Sequence, residues 1–141
     1  MEYEYVRISE NSFGSLRRLH VSYKDEIGES LPGEEELDRL RQAMEEEQIL
    51  FYGCMADGEL AACCSVTPTF SSFDYRRGGI LEDFYIMPEH RYRGIARALI
   101  RFAYRESGVS TLTVGCADCD MEMYRAIGFG IHLGNMLAYQ G

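Results

Sequence analysis

Neither glycine nor proline is abundant: 14 and 3 in 141 residues, too few for a disordered chain or a fibrous repeat. No apolar run approaches the roughly 18 residues that a membrane helix needs. The first residues, Met1-Glu2-Tyr3-Glu4-Tyr5, have neither the basic nor the apolar region of a secretory signal, so a cytoplasmic protein is expected. The five cysteines are odd in number and lack a framework spacing, which favours free thiols in a reducing compartment. Lysine is almost missing, Lys24 being the only one among 14 basic residues. With a net charge of −9, neither nucleic acid nor an anionic membrane is expected as the main partner.

What is present suffices for one folded domain spanning residues 1–141: the chain is 46% hydrophobic and 12% aromatic, and its length suits a single core. Residues 3–9 alternate like a strand. Asn11 or Ser12 can cap a helix carrying Phe13, Leu16, Leu19, Tyr23 and Ile27 at helical spacing,. A second helix opens with Glu34-Glu35-Glu36, which suits a positive helix N-terminus. Residues 49–55 and 60–66 read as strands joined at Asp57-Gly58, a strong hairpin signal. Pro68 is expected to end the second of these and to open a surface loop over 67–79. A strand at 80–87, a helix at 92–106 with Ile95, Leu99, Phe102 and Ala103 inward, a strand at 111–116 and a helix at 118–127 follow, with two last strands at 129–133 and 136–139. The order β-α-α-β-β-β-α-β-α-β-β implies an α/β domain with a mixed sheet and helices on both faces.

The basic charge is unevenly placed. Five of the arginines lie between Arg91 and Arg105, a window without an acidic residue. A local cationic island in an acidic protein points to a specific small anion. The island begins where a strand ends at Pro88 and a helix opens with Gly94 and Ala96. First-turn N–H groups have no partners inside a helix and, with the macrodipole, attract anions. Glycine there lets a phosphate approach the backbone. Arg91, Arg93 and Arg97 crowd the same helix start, where cationic side chains oppose the dipole, and a bound diphosphate would compensate them. The plainer alternative is a solvated basic face, since Arg93, Arg97, Arg101 and Arg105 repeat every four residues.

The spacing Arg91-x-x-Gly94-x-Ala96 resembles the coenzyme A signature of the GNAT acetyltransferases, Gln/Arg-x-x-Gly-x-Gly/Ala, in the strand–loop–helix context that the motif requires. The element order resembles that family's across nearly the whole chain. The run Leu81-Glu82-Asp83-Phe84-Tyr85-Ile86 looks closest to its diamine (spermidine/spermine) branch. The resemblance implies a GNAT-like, mostly antiparallel mixed sheet and an acetyl-CoA-dependent enzyme acting on a small amine without a metal. It implies that the backbone of Phe84, Tyr85 and Ile86 meets the thioester and pantetheine arm. Arg91, Tyr92, Arg93, Gly94, Ile95, Ala96 and Arg97 then hold the pyrophosphate, mainly through backbone N–H groups. Many members are homodimers, so a homodimer is among the expectations.

Acetyl transfer needs a neutral amine and a proton for the departing thiolate. A tyrosine can donate that proton, its pKa of about 10 lying above the thiol's of about 8.5. The family places this tyrosine just before a Gly-Phe, which Tyr124 before Gly128-Phe129 matches. Ala117 and Asp120 replace an Asn and an Ala common upstream of it, and Tyr92 replaces a common Gly. By the same resemblance Glu82 binds the amine and accepts its proton. Glu82 and Asp83 are adjacent on a strand, where neighbours face opposite ways, so only one is expected to look into the cleft. Both are candidate substrate ligands. The segment Thr69-Phe70-Ser71-Ser72-Phe73 resembles the branch's substrate-side loop.

Rival readings come from other classes. Cys116-Ala-Asp-Cys119 lies where a redox pair would lie, but in the wrong element order for a thioredoxin-like fold. No spacing suggests a zinc site. Cys63 and Cys64 are read as core residues on opposite strand faces, and His20, His90 and His132 are given ordinary structural roles. A non-catalytic acyl-CoA sensor on the same fold would keep the arginine motif without needing Tyr124.

Overall fold

The computed structural model describes residues 2–141. Strands β1 (Tyr3–Ile8), β2 (Leu50–Ala56), β3 (Glu59–Ser71), β4 (Arg76–Ile86) and β5 (Leu112–Val114) form one sheet in sequence order. Its ladders are antiparallel except β4–β5, which is parallel. Helices α1 (Phe13–Glu26), α2 (Glu34–Glu45), α3 (Ile95–Ser107) and α4 (Met121–Ala126) complete the chain with three short 3-10 turns. Successive strand residues face opposite sides, and the core divides accordingly. Tyr52, Cys64, Val66 and Leu81 pack against Ile95, Leu99 and Ala103 of α3. Phe51, Leu60, Cys63 and Tyr85 pack against Leu16 and Leu19 of α1 and Met44 of α2. The expected mixed sheet with helices on both faces is therefore present, and Cys63 and Cys64 do take opposite faces. No helix among the described residues is long and apolar enough to cross a membrane.

Local chemistry accounts for most boundaries. Asp57 and Gly58 both take positive φ, 51° and 81°, as a two-residue hairpin requires. The Glu36 carboxylate accepts the Gly33 N–H at 3.1 Å and so closes the start of α2. Neither Ser9 nor Ser12 bonds through its side chain at the start of α1, so the expected hydroxyl cap is not formed. The helix expected from residue 92 begins at Ile95, because Gly94 sits left-handed before it. The helix expected over 118–127 is split into a 3-10 turn, Asp118–Asp120, and α4.

Two expectations are corrected. Pro68 does not end β3: the strand continues to Ser71 and pairs with β4 as far as Ser71–Arg76. β2 pairs with β3 only as far as Val66, so beyond that point β3 has one free edge, where a residue without an N–H costs no ladder bond. The last two strands are also not formed. Residues 129–141 carry no regular structure. Ile131, Leu133, Met136, Leu137 and Tyr139 are exposed, so the burial that would drive strand formation is missing.

Candidate active site

β4 is paired with β3 on one side, but β5 covers it only from Gly79 to Leu81. Beyond Leu81 the edge on the β5 side is open. The Met87 N–H donates to the Ala61 carbonyl at 2.9 Å, and antiparallel bonding alternates between residues. The Tyr85 backbone thus faces β3, while Phe84 and Ile86 direct theirs to the open edge. Of the three backbone positions expected to meet the coenzyme, Phe84 faces the open edge and Ile86 offers it an N–H, its carbonyl accepting from Arg91 Nε.

The edge leads to the start of α3. Arg91 is extended, and Tyr92 and Gly94 take φ of 64° and 80°. The left-handed Gly94 followed by the right-handed first turn of α3 gathers backbone N–H groups into a concavity that suits an anion. Ile95, Ala96 and Arg97 open the helix, so their N–H groups have no acceptor within it. No side chain accepts from them among the described residues. The dipole adds positive potential there. A Cβ placed on Gly94 would meet nothing within 4 Å, so the approach is unobstructed. The cradle fits a phosphate group.

The arginines contribute less directly than their spacing suggests. Arg91 turns back: its Nε donates to the Ile86 carbonyl at 2.9 Å, and its Nη2 lies 2.8 Å from both carboxylate oxygens of Glu26. Its guanidinium also lies 5.7 Å from the centroid of the Tyr85 ring. It ties the end of β4 to the end of α1, and its own N–H donates to the Pro88 carbonyl at 3.3 Å, so neither its side chain nor its N–H is free for an anion. Arg97 donates to the Ala126 carbonyl and so holds α4 against α3. Arg93 makes no hydrogen bond or ion pair among the described residues, and the Tyr92 ring stands in solvent.

A bulge shapes the other flank of β4. Three steps on β4, from Leu81 to Phe84, oppose two on β3, from Val66 to Cys64, which breaks the facing rule at Glu82 and Asp83. The buried Ser65 hydroxyl accepts the Asp83 N–H at 2.9 Å. The expectation that only one carboxylate faces the cleft is corrected, because Glu82 and Asp83 both line a cavity of about 360 Å³ between β4, α1 and α2. Glu82 is exposed and Asp83 is buried. Asp83 also accepts a hydrogen bond from His20 Nδ1 of α1 at 2.8 Å. His20 therefore belongs to the site, which a lone helix histidine in the sequence does not announce. The aromatics expected to wall this side do not reach it: Phe70 and Phe73 stand in solvent at the β3–β4 hairpin.

Tyr124 lies beside the open edge of β4, its ring 6.1 Å from that of Phe84 and 5.7 Å from that of Phe129. Burial, followed by the nearby Tyr23, pushes its phenol up to about 12, so it holds its proton at neutral pH. Its hydroxyl bonds to no protein group among the described residues. Burial, then the carboxylates of Asp83 and Glu82, also push the Tyr23 phenol up. The Tyr23 ring lies 6.1 Å from that of Tyr85. Cys116 and Cys119 are free and exposed. Among the described residues, no group of three or more His, Cys, Asp or Glu side chains could hold a metal ion.

An open strand edge thus runs into a helix start with unpaired N–H groups, with a protonated tyrosine on the same flank. The family model for the Acetyltransferase (GNAT) family matches residues 14–129, and the chain belongs to that family. No curated protein matches it in sequence. Among solved structures, a probable acetyltransferase is 23% identical, with 98% of this chain and 99% of that chain covered and a TM-score of 0.81. An aminoglycoside acetyltransferase from an uncultured soil metagenomic sample, in complex with trehalose, is 14% identical over 99% and 95%, with a TM-score of 0.81. AAC(6')-Iy, in complex with the bisubstrate analog CoA-S-monomethyl-acetylneamine, is 16% identical over 100% and 99%, with a TM-score of 0.80. These likenesses establish the fold, and the family match establishes an acetyltransferase lineage that uses acetyl-CoA.

Proposed function

We propose that the chain is an acetyl-CoA-dependent N-acetyltransferase that acetylates a primary amine of a small cationic acceptor by direct attack in a ternary complex. The observation that carries this reading is the convergence of the open β4 edge, the α3 cradle and Tyr124 on one flank, with a carboxylate-lined cavity on the other. When bound, acetyl-CoA supplies an activated acetyl group and a thiolate leaving group. Phe84 and Ile86 orient the pantetheine arm through their backbone, and the N–H groups of residues 92–97 hold the pyrophosphate. Tyr124 gives its proton to the departing sulfur. Glu82 binds the acceptor's ammonium and begins its deprotonation through water, with Asp83 beside it. The Leu81–Ile86 run supports a place near the diamine branch. The aminoglycoside acetyltransferases among the structural neighbours bring aminoglycosides in as a second class of cationic acceptor.

Thiol release from acetyl-CoA in the presence of spermidine or an aminoglycoside, measured for the unaltered protein and for Tyr124→Phe, tests this reading. Turnover by the unaltered protein is expected to fall about 100-fold in the variant, with acetyl-CoA affinity retained. Binding without turnover in the unaltered protein would instead favour an acyl-CoA sensor. Because Tyr124 titrates near 12 rather than the usual 10, its proton remains available up to pH of about 10. Tyr124 therefore imposes no basic-side loss of turnover below that. The sign for stability is the same: burial of the neutral phenol stabilises the fold below the ordinary tyrosine pKa, and this is lost as pH rises through about 12,.

A further inference from the structure

The acceptor cavity holds a hydrogen-bonded histidine–carboxylate pair whose histidine has no task in the chemistry above. We propose that His20, oriented by Asp83, is the group on which the acceptor's proton comes to rest; this rests on the acetyltransferase reading. His20 and Asp83 are nearly enclosed, with side-chain exposures of 11% and 9%, and their Nδ1···Oδ2 distance is 2.8 Å. Asp83 is held from behind, its N–H on the Ser65 hydroxyl at the bulge. A carboxylate is acceptor-only, so the 2.8 Å contact places the hydrogen on Nδ1 and leaves Nε2 as the ring's acceptor. Nε2 bonds to no protein group. Yet no buried side-chain nitrogen or oxygen among the described residues lacks a partner. Nε2 is therefore not sealed in, and His20 lines the cavity. An imidazole with one nitrogen fixed by a carboxylate and the other open to a substrate cavity is the arrangement of a general base.

The groups around His20 divide the work. Glu82 on β4, Glu29 in the α1–α2 connection and Glu36 on α2 line the same cavity and favour a cationic acceptor. Lys24, one turn further along α1, also lines it and opposes a second positive charge nearby. Tyr23 on α1 and Cys63 on β3, both pushed up chiefly by burial, remain neutral. The ammonium held by Glu82 loses one proton through water to His20 Nε2, and Asp83 balances the imidazolium. The neutral amine then forms the C–N bond as the C–S bond breaks. The sulfur takes the Tyr124 proton, Tyr124 is reprotonated by the surplus proton on the new amide nitrogen, and His20 releases its proton to solvent.

Two measurements test this. In nitrogen-15 NMR spectra of histidine-labelled protein at neutral pH, His20 is expected as the Nδ1–H tautomer, and Asp83→Asn is expected to abolish that preference. A His20 protonated on Nε2 overturns the proposal without recourse to any variant or assay. With acetyl-CoA and saturating spermidine, His20→Gln is expected to lower kcat about 100-fold and to remove the acid-side limb of its pH profile, with acetyl-CoA affinity unchanged. An unchanged acid limb in a folded His20→Gln overturns this inference alone. No turnover by the unaltered protein with any amine overturns it together with the function proposed above.

Discussion

The two flanks of β4 are built in opposite ways. The flank proposed for the coenzyme comes from one continuous stretch, Phe84 to Arg97, closed by Tyr124 on α4. A strand, a turn and a helix start meet there because they are neighbours in the chain. The flank proposed for the acceptor is assembled from α1, the connection after it, α2 and the bulge in β4, joined only by folding. The first flank depends on backbone conformation and the second on side-chain identity, so they should fail differently.

Substitutions can break that comparison. Gly94 holds φ of 80° in open space, so Gly94→Val should distort the cradle rather than clash. A branched residue is strained there by about 1–3 kcal/mol, which predicts acetyl-CoA binding weakened by about tenfold or more in a calorimetric titration. Glu82→Gln should leave that affinity intact and raise the KM for spermidine by about tenfold, the effect of losing a charge-assisted bond of about 1.5 kcal/mol or more. An equal loss for acetyl-CoA would show that the flanks are not separate. The smallest effect belongs to Arg101, exposed on the outer face of α3 and unpaired among the described residues. Arg101→Ala should shift acetyl-CoA affinity by less than about twofold, as solvated charges contribute little.

The same contrast explains what was legible in the sequence. The β4–α3 motif, the Asp57-Gly58 hairpin and the acidic start of α2 are short-range signals, and each is found where its residues stand. Side-chain direction was less legible: the alternation expected at Glu82 and Asp83 fails at a bulge that only the pairing with β3 creates, and Arg91 turns toward Glu26, 65 residues away. His20 and Tyr23 lie on the inner side of an amphipathic helix, where spacing cannot distinguish a packing residue from one that lines a cavity. The terminal strands at 129–133 and 136–139 had plausible apolar content, but a strand needs a partner, and none is supplied.

We propose the open edge of β4 and the start of α3 as the acetyl-CoA site. The melting temperature measured with acetyl-CoA and with NAD, each at equal excess, tests it most directly. A ligand at 100 times its Kd adds about 2.7 kcal/mol, which for a domain of this size raises the midpoint by several degrees. That rise is predicted for acetyl-CoA and not for NAD, and it should shrink in Gly94→Val. No rise with acetyl-CoA, or an equal rise in Gly94→Val, would contradict the account.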